Sequence, residues 1–443
     1  MSFISEFGYD DRYTLAIAGF AMMLFIFVYL VDVSSLGPVF AFMVASAPIW
    51  LPIVTFYLFF EAWMLFVRLK FDVGQGRTTL EIKIPQEIFK SPEAMEIVLT
   101  QLHQQANPDN HIETYIDGKH PPVMSLEVAS HGGDVRFYLS VPKKKIKNLI
   151  ETQMYSQYPG IEVHELDVDY TAEVPHDLKG YTAMTFHIGL KKADAYPLKT
   201  YIDFGLDKMP KEEEKVDPIS SMLEMMGNLK PGENIWFQIM IDANRKETFK
   251  EGQLTFGEKP DWTKEARKEI DTIIEIAAKR TGISDIKEVQ GGLNTNNILT
   301  DTEKDTIKAI ERSTSKNAFN TAIRYVYVAK DEAFNAERIP AMLTALRNYD
   351  DNNRNALGVR WRTDTNWKFQ NPGGRKVARW KLEEIMNYKR RSYYNYTSVD
   401  AKKIMTTEEL ATIFHLPGKV VTTPTLGRIP SKRSEAPSNL PIG

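Results

Sequence analysis

The most uneven feature of the chain is where its apolar residues fall. Tyr13 to Val31 holds 19 residues without a charge, a stretch that as a helix spans roughly 28 Å, about one bilayer core. Asp32 and the turn "SSLGP" follow, and Val39 to Phe60 is a second uncharged run. Pro48 and Pro52 sit inside that run and predict a kink or break. Residues 1–72 therefore read as a transmembrane helical hairpin with spans at 13–31 and 39–60. A buried hairpin of a soluble protein is the alternative, and the length of both uncharged runs argues against it. The acidic start "SEFGYDDR" and Pro48 after Ala45-Ser46-Ala47 do not suit a cleaved signal peptide. Arg68 and Lys70 flank the second span, so the positive-inside rule puts the large soluble part in the cytoplasm, behind a multi-pass anchor in the cell membrane.

Beyond residue 78 the pattern changes to short alternating runs separated by helical periods. "TTLEIKI" alternates and ends at Pro85, a strand. Ser91-Pro92-Glu93 opens a helix on which Met95, Val98 and Leu102 share a face. "VMSLEVAS" and "DVRFYLSV" flank His131-Gly132-Gly133, a hairpin whose glycines permit positive φ. "PKKKIKNLIETQMYSQYP" is an amphipathic helix and "IEVHELDV" a last strand. The order βαββαβ over 78–170 is that of a ferredoxin-like unit. A second, looser pass fills 180–365: "YTAMTFHIGL", "DPISSMLEMMGNL", "NIWFQIMI", "FNTAIRYVYVA", "AERIPAMLTALRNY" and "LGVRWRT". Between its two middle strands, 259–316 reads as a helical insertion, with Ile270, Ile273, Ile274 and Ala277 on one face. The predicted fold class is α+β: a membrane hairpin, one clear and one probable ferredoxin-like unit, and a helical insertion in the second.

Composition changes this picture mainly by subtraction. In 443 residues, 55 Lys and Arg face 58 Asp and Glu, so the chain as a whole is no generic polyanion binder. It has no cysteine, which removes disulfides, thiolate metal sites and a cysteine nucleophile, and fits a reducing cytoplasm. "LPGKVV" lacks the Ser or Thr and the earlier glycine of a P-loop. "NPGGRKVAR" follows no buried strand, and "NTNN" at 294–297 and "KEEEK" at 211–215 read as loops. The eight histidines form no HExxH pair. Glu383 and Glu384 are adjacent and point apart on a helix. The expectation is a chain with no catalytic residue, cofactor or metal site.

One segment, 366–405, carries a local signal. Between Arg354 and Lys403 thirteen Lys or Arg face four acids, and aromatic residues are interleaved among them. Arg375, Lys376, Arg379, Lys389, Arg390 and Arg391, with Trp380 and Tyr393, are the candidate contact residues. Basic charge tracks phosphates while aromatic rings accept bases, which suits a nucleic-acid strand. The same composition suits anionic lipid or a partner protein. The third reading is a solvated helix, roughly Lys376 to Tyr393, whose aromatics pack on the domain.

The remainder, 406–443, reads as a short helix opened by Thr406 and Thr407, broken at Pro417-Gly418, and a Pro/Ser-rich tail. "PPVMSLEVASHGGDVRFYLSVPKKKIKNLIETQMYSQYPGIEV" resembles the membrane-anchored N-terminal region of type IV secretion or conjugation-like (HerA/FtsK-type) ATPases of candidate-phylum bacteria. The shared pattern is a strand, a Gly turn, a "FY" strand, a helix ending "QYP" and an exit strand. "TEELATIFHLPG" with "TPTLGRIPSKRSEAPSNLP" is similar to the segment that leads into the motor in those proteins. The resemblance implies a non-catalytic scaffold of a translocation machine, with membrane lipids, further copies of itself and a separately encoded P-loop ATPase as partners, the ATPase docking on the tail. The alternative is a membrane-tethered nucleic-acid-binding protein that uses the basic aromatic segment.

Overall fold

A computed structural model describes residues 36–85, 90–105, 108, 110–143, 146–207, 216–244, 261–281, 298–364, 371, 374–392, 403–418 and 428–429. The predicted span 13–31 and the loops 211–215 and 294–297 lie outside the described residues. The second apolar run is a single helix, α1 (Leu36–Gln75), which continues well past the predicted end at Phe60. It is not broken at Pro48 or Pro52. The two rings stand one turn apart on the same side, so the backbone bonds they remove fall in one stripe and the other side carries the helix on. Gly76, at φ +66°, then turns the chain into the sheet.

Among the described residues, ten strands form one mixed α+β architecture: β1 (Arg77–Pro85), β2 (Met124–His131), β3 (Asp134–Pro142), β4 (Glu162–Glu165), β5 (Tyr181–Leu190), β6 (Glu233–Ala243), β7 (Ala318–Lys330), β8 (Leu357–Arg362), β9 (Lys403–Thr406) and β10 (Arg428–Ile429). The first half is ordered β4-β1-β3-β2 and the second β6-β7-β5-β8. Read from the far edge inward, the second half repeats the first. The halves meet where β2 and β6 pair antiparallel, Val128 opposite Phe237. Every pairing is antiparallel except that of β10, which runs parallel to the end of β1. Gly132 and Gly133, at φ +58° and +98°, form the two-residue turn between β2 and β3. A Cβ on Gly133 would lie 2.9 Å from the Gly227 carbonyl, so this turn is also packed from below.

Strand alternation divides the side chains into two layers. Leu80, Ile82, Leu126, Val128, Phe137, Leu139, Ile188, Phe237, Ile239, Ile323 and Tyr325 share one face and form the main core. Helices α2 (Glu93–Leu102), α4 (Lys147–Gln157), α5 (Ser220–Gly227) and α8 (Arg338–Ala345) cover this face with Val98, Leu99, Ile150, Met154, Met222, Met226 and Met342. A short helix, α3 (His111–Tyr115), lies in the connection from α2 to β2. The predicted insertion contains α6 (Trp262–Arg280) and α7 (Asp301–Thr314), tied by Arg280 to Glu303 at 2.8 Å. Opposite the main core, α9 (Arg375–Arg390) and the turn Tyr170–Glu173 cover a smaller cluster of Ala129, Tyr138, Trp236, Val326, Val328, Ile385 and Tyr388.

Residues 403–418 do not lead away from this fold. β9 pairs with β7, and α10 (Thr407–Ile413) enters the main core, with Leu410, Ala411, Ile413, Phe414 and Leu416 all fully buried. The Phe414 ring packs edge-on to Phe137 of β3 at 5.8 Å. Its polar residues are buried because each has a partner: Glu408 lies 2.9 Å from Arg312, and Glu409 accepts from the Leu198 amide at 3.0 Å. Thr406 and Glu409 form a reciprocal capping box. The short helix expected from Thr406 is present, and residues 406–416 belong to the core rather than to a docking tail.

Candidate functional site

Two surfaces can be built from these elements: the apolar flank of α1 and the basic helix α9. Among the described residues, one helical stretch, Val44–Gln75 of α1, is long and apolar enough to cross a membrane. Its side chains point into the surroundings: Phe42 is 75% exposed, Ile49 74% and Ile53 67%. An exposed apolar surface of this length is costly in water and favourable in lipid.

Among the described residues, the final turns of α1 meet the folded domain, and there the contact is close. Met64 and Val67 are buried. The Trp63 indole donates to the Tyr115 carbonyl at 2.7 Å, and the Phe60 and Tyr115 rings lie 5.9 Å apart. Gly118 has φ +68°, and a Cβ there would fall 2.4 Å from the Val67 carbonyl oxygen, so only glycine lets this loop reach the helix backbone. His120 lies 3.1 Å from Asp72 and packs against Phe71. The helix is thus braced to the domain over about three turns.

The basic segment comes apart into residues that face out and residues that hold the fold. Arg375, Arg379 and Arg390 are exposed, and Arg379 pairs with Glu383 at 3.2 Å. Lys376 lies 4.6 Å above the Trp380 ring, which meets Trp361 of β8 edge-on at 5.5 Å. Lys389 donates to the Val174 carbonyl, and burial lowers its pKa. Arg391, predicted to contact a ligand, is buried inside the protein. It bonds both oxygens of Glu127 at 3.0 Å and also reaches Asp169. It adopts a left-handed conformation, φ +50°, that lets its side chain turn back under the helix. Tyr393 lies outside the described residues. The solvated-helix reading thus fits α9, and the seven described candidates do not share one surface, since Lys389 and Arg391 are taken up by internal partners.

Sequence reasoning missed the carboxylates that receive these bases. Glu127 also accepts from Tyr170 at 2.6 Å, Ser125 at 2.6 Å and Gln238 at 3.0 Å. Burial pushes its pKa up, but the Arg391 charge and these bonds outweigh that and hold it below the ordinary range. Glu384 lies 2.7 Å from His187 and 3.5 Å from Arg324, all three fully buried. Burial raises its pKa too, yet these two partners bring it down to about 2. Both clusters clamp α9 and its exit onto the sheet. Every carboxylate oxygen is engaged by donors, an arrangement suited to holding position rather than to moving protons. The signal for them was present in β6: "NIWFQIMI" is apolar at both parities, which means a strand buried on both faces. Among the described residues, no three His, Asp or Glu side chains are grouped to hold a metal.

A protein-family model described as a domain of unknown function, DUF8128, matches residues 68–428. The matched region begins in the braced turns of α1 and ends at β10, so it takes in the folded domain. No curated protein matches the chain.

Proposed function

The chain belongs to the DUF8128 family, and we propose that it is a non-catalytic, membrane-anchored scaffold. The observation that carries this reading is α1: an exposed apolar helix whose last turns are braced by direct contacts against a folded domain. A flexible tether would serve for simple localisation; a brace sets the domain's angle to the bilayer. The full anchor is read as a hairpin of two spans, with the span at 13–31 preceding α1 and the domain on the cytoplasmic side, as Arg68 and Lys70 favour. The repeated strand order supports reading the two halves as ferredoxin-like units fused edge to edge.

The resemblance to type IV secretion and conjugation-like ATPases supplies the class of machine and the partner, a P-loop ATPase. With 406–416 in the core, the docking element moves to the residues after Gly418 and to the exposed outer side of α9. The nucleic-acid reading loses Arg391 and Lys389 to internal partners and is the weaker one.

The test is capture of the tagged full chain in a gentle detergent, with mass spectrometry of what co-purifies. A stoichiometric P-loop ATPase that is lost when residues 419–443 are removed is the expected result. A preparation that contains no such ATPase, from membranes that hold the protein, overturns the partner assignment.

A further inference from the structure

The connection between α2 and β2 touches α1 in order. His120 lies at Asp72, Gly118 at Val67 and Arg68, and Tyr115 at Trp63 and Phe60. Followed backwards, this loop climbs α1 by twelve residues, roughly 18 Å at 1.5 Å per residue. It passes the basic pair Arg68 and Lys70 and ends beside the uncharged run. At its top sits α3, and there two large apolar side chains face away from the protein: Ile112 is 61% exposed and Ile116 57%. Isoleucines left bare on one short turn have no role in the core. Their position gives them one.

Trp63 and Tyr115 are the residue types that favour the boundary between headgroups and acyl chains. If that boundary lies at Trp63, a hydrocarbon core about 28 Å thick reaches nineteen residues back to Val44, inside the uncharged run that starts at Val39. The charges near this level are mixed, with Asp117 exposed beside Ile116. Lys119 and Glu113 pair with each other at 2.6 Å, and Arg68 and Lys70 lie just below, at the depth of lipid phosphates.

We propose that α3 is a second membrane contact: Ile112 and Ile116 insert into the headgroup layer beside α1, so the domain rests against the bilayer at a fixed tilt. This rests on the membrane reading of α1, and the experiment separates the two. The chain has no cysteine, so single-cysteine variants of the full chain accept one environment-sensitive fluorophore each. Leu58→Cys reports on α1, Ile112→Cys and Ile116→Cys on α3, and Val359→Cys on β8 at the far edge of the sheet. All four side chains are exposed, so labelling costs little packing. The proteins are reconstituted into phosphatidylcholine/phosphatidylglycerol vesicles that carry nitroxide at the headgroup or deep in the acyl chain. The labels at 112 and 116 are expected to shift to the blue and to lose emission to the headgroup nitroxide. The label at 58 should lose it to the deep nitroxide, and the label at 359 to neither. If 112 and 116 behave as 359 does while 58 is quenched, the anchor stands and the α3 contact is overturned. If 58 is not quenched by either lipid, the membrane reading fails and takes the α3 contact with it.

Discussion

The two faces of the sheet are held by different physics. On one, α2, α4, α5, α8 and α10 press aliphatic and aromatic side chains into a continuous core. On the other, the small apolar cluster shares the surface with Glu127, Gln238, Arg324, His187, Glu384 and Arg391, all buried. Burial of apolar area is non-directional, and its loss is graded by the volume removed. A buried ion pair contributes little net stability against an apolar pair of the same shape, but losing one partner is costly because the other charge stays in a medium that cannot solvate it. The first face should tolerate repacking. The second should respond abruptly to a single loss and recover when the partner is neutralised as well.

Where the chain is cut tests this contrast most harshly. Removal of residues 406–443 strips α10 from the main core and should leave no cooperative unfolding transition in detergent, whereas removal of 419–443 should leave the melt nearly unchanged. Circular dichroism on both truncations decides this, and a folded protein without α10 would refute its role in the core. Next in size is Arg391→Met, which leaves Glu127 without its charge partner and should cost about 3–5 kcal/mol. Adding Glu127→Gln should return a good part of that loss. Denaturant titrations that show simple additivity of the two changes would remove the distinction between the faces. Leu410→Ala, on the apolar side, should cost about 2–5 kcal/mol according to how far the cavity collapses, with no single second-site change restoring it.

A subtler prediction uses two carboxylates with opposite shifts. Burial pushes Glu409, on the apolar side, up to about 7, with only amides, a hydroxyl and the neighbouring Glu408 around it. Glu384, on the polar side, is brought down to about 2 by His187 and Arg324 despite its burial. Because the folded pKa of Glu409 is raised, the folded state binds more protons than the unfolded one between the ordinary value of 4.5 and about 7. Its contribution to stability therefore falls as pH rises through that window. His415, beside Asp217, acts in the same direction: burial lowers its pKa, but the Asp217 charge raises it more. Its contribution is complete below the ordinary 6.5 and declines as pH rises through the raised value. Glu384 has the opposite sign and loses its contribution only as pH falls below 4.5 towards about 2. Glu409→Gln should thus flatten the decline in melting temperature between about pH 5 and pH 8 without abolishing it. An unchanged slope would show that Glu409 does not carry it. Smallest of all, Arg379→Ala breaks a surface pair with Glu383 and should change stability by no more than about 0.5 kcal/mol.

Much of the architecture was legible because it is local. Alternation in "TTLEIKI" and "YTAMTFHIGL" marked strands, the helical spacing of Met95, Val98 and Leu102 marked α2, and Gly132-Gly133 marked the hairpin. Thr406 with Glu409 marked the start of α10 three residues apart. The run from Val39 to Phe60 marked a helix fit for a bilayer. Each of these follows from sterics, backbone hydrogen bonding or hydropathy within a few residues of chain.

Which of these elements would be dry was settled elsewhere. Arg391 looked like a surface contact because its neighbours are basic, yet its charge is answered by Glu127, 264 residues away in the chain. Glu408 and Glu409 read as the acidic first turn of a short helix, and nothing local showed that Arg312, Thr200 and Leu198 would be brought to them. Ile112 and Ile116 are unremarkable in the string and gain meaning only from the side of α1 on which their loop is clamped. Period and composition report what a residue can form with its neighbours, but desolvation depends on what closes over it. For this protein that was decided by packing two halves edge to edge and folding α10 back beneath them.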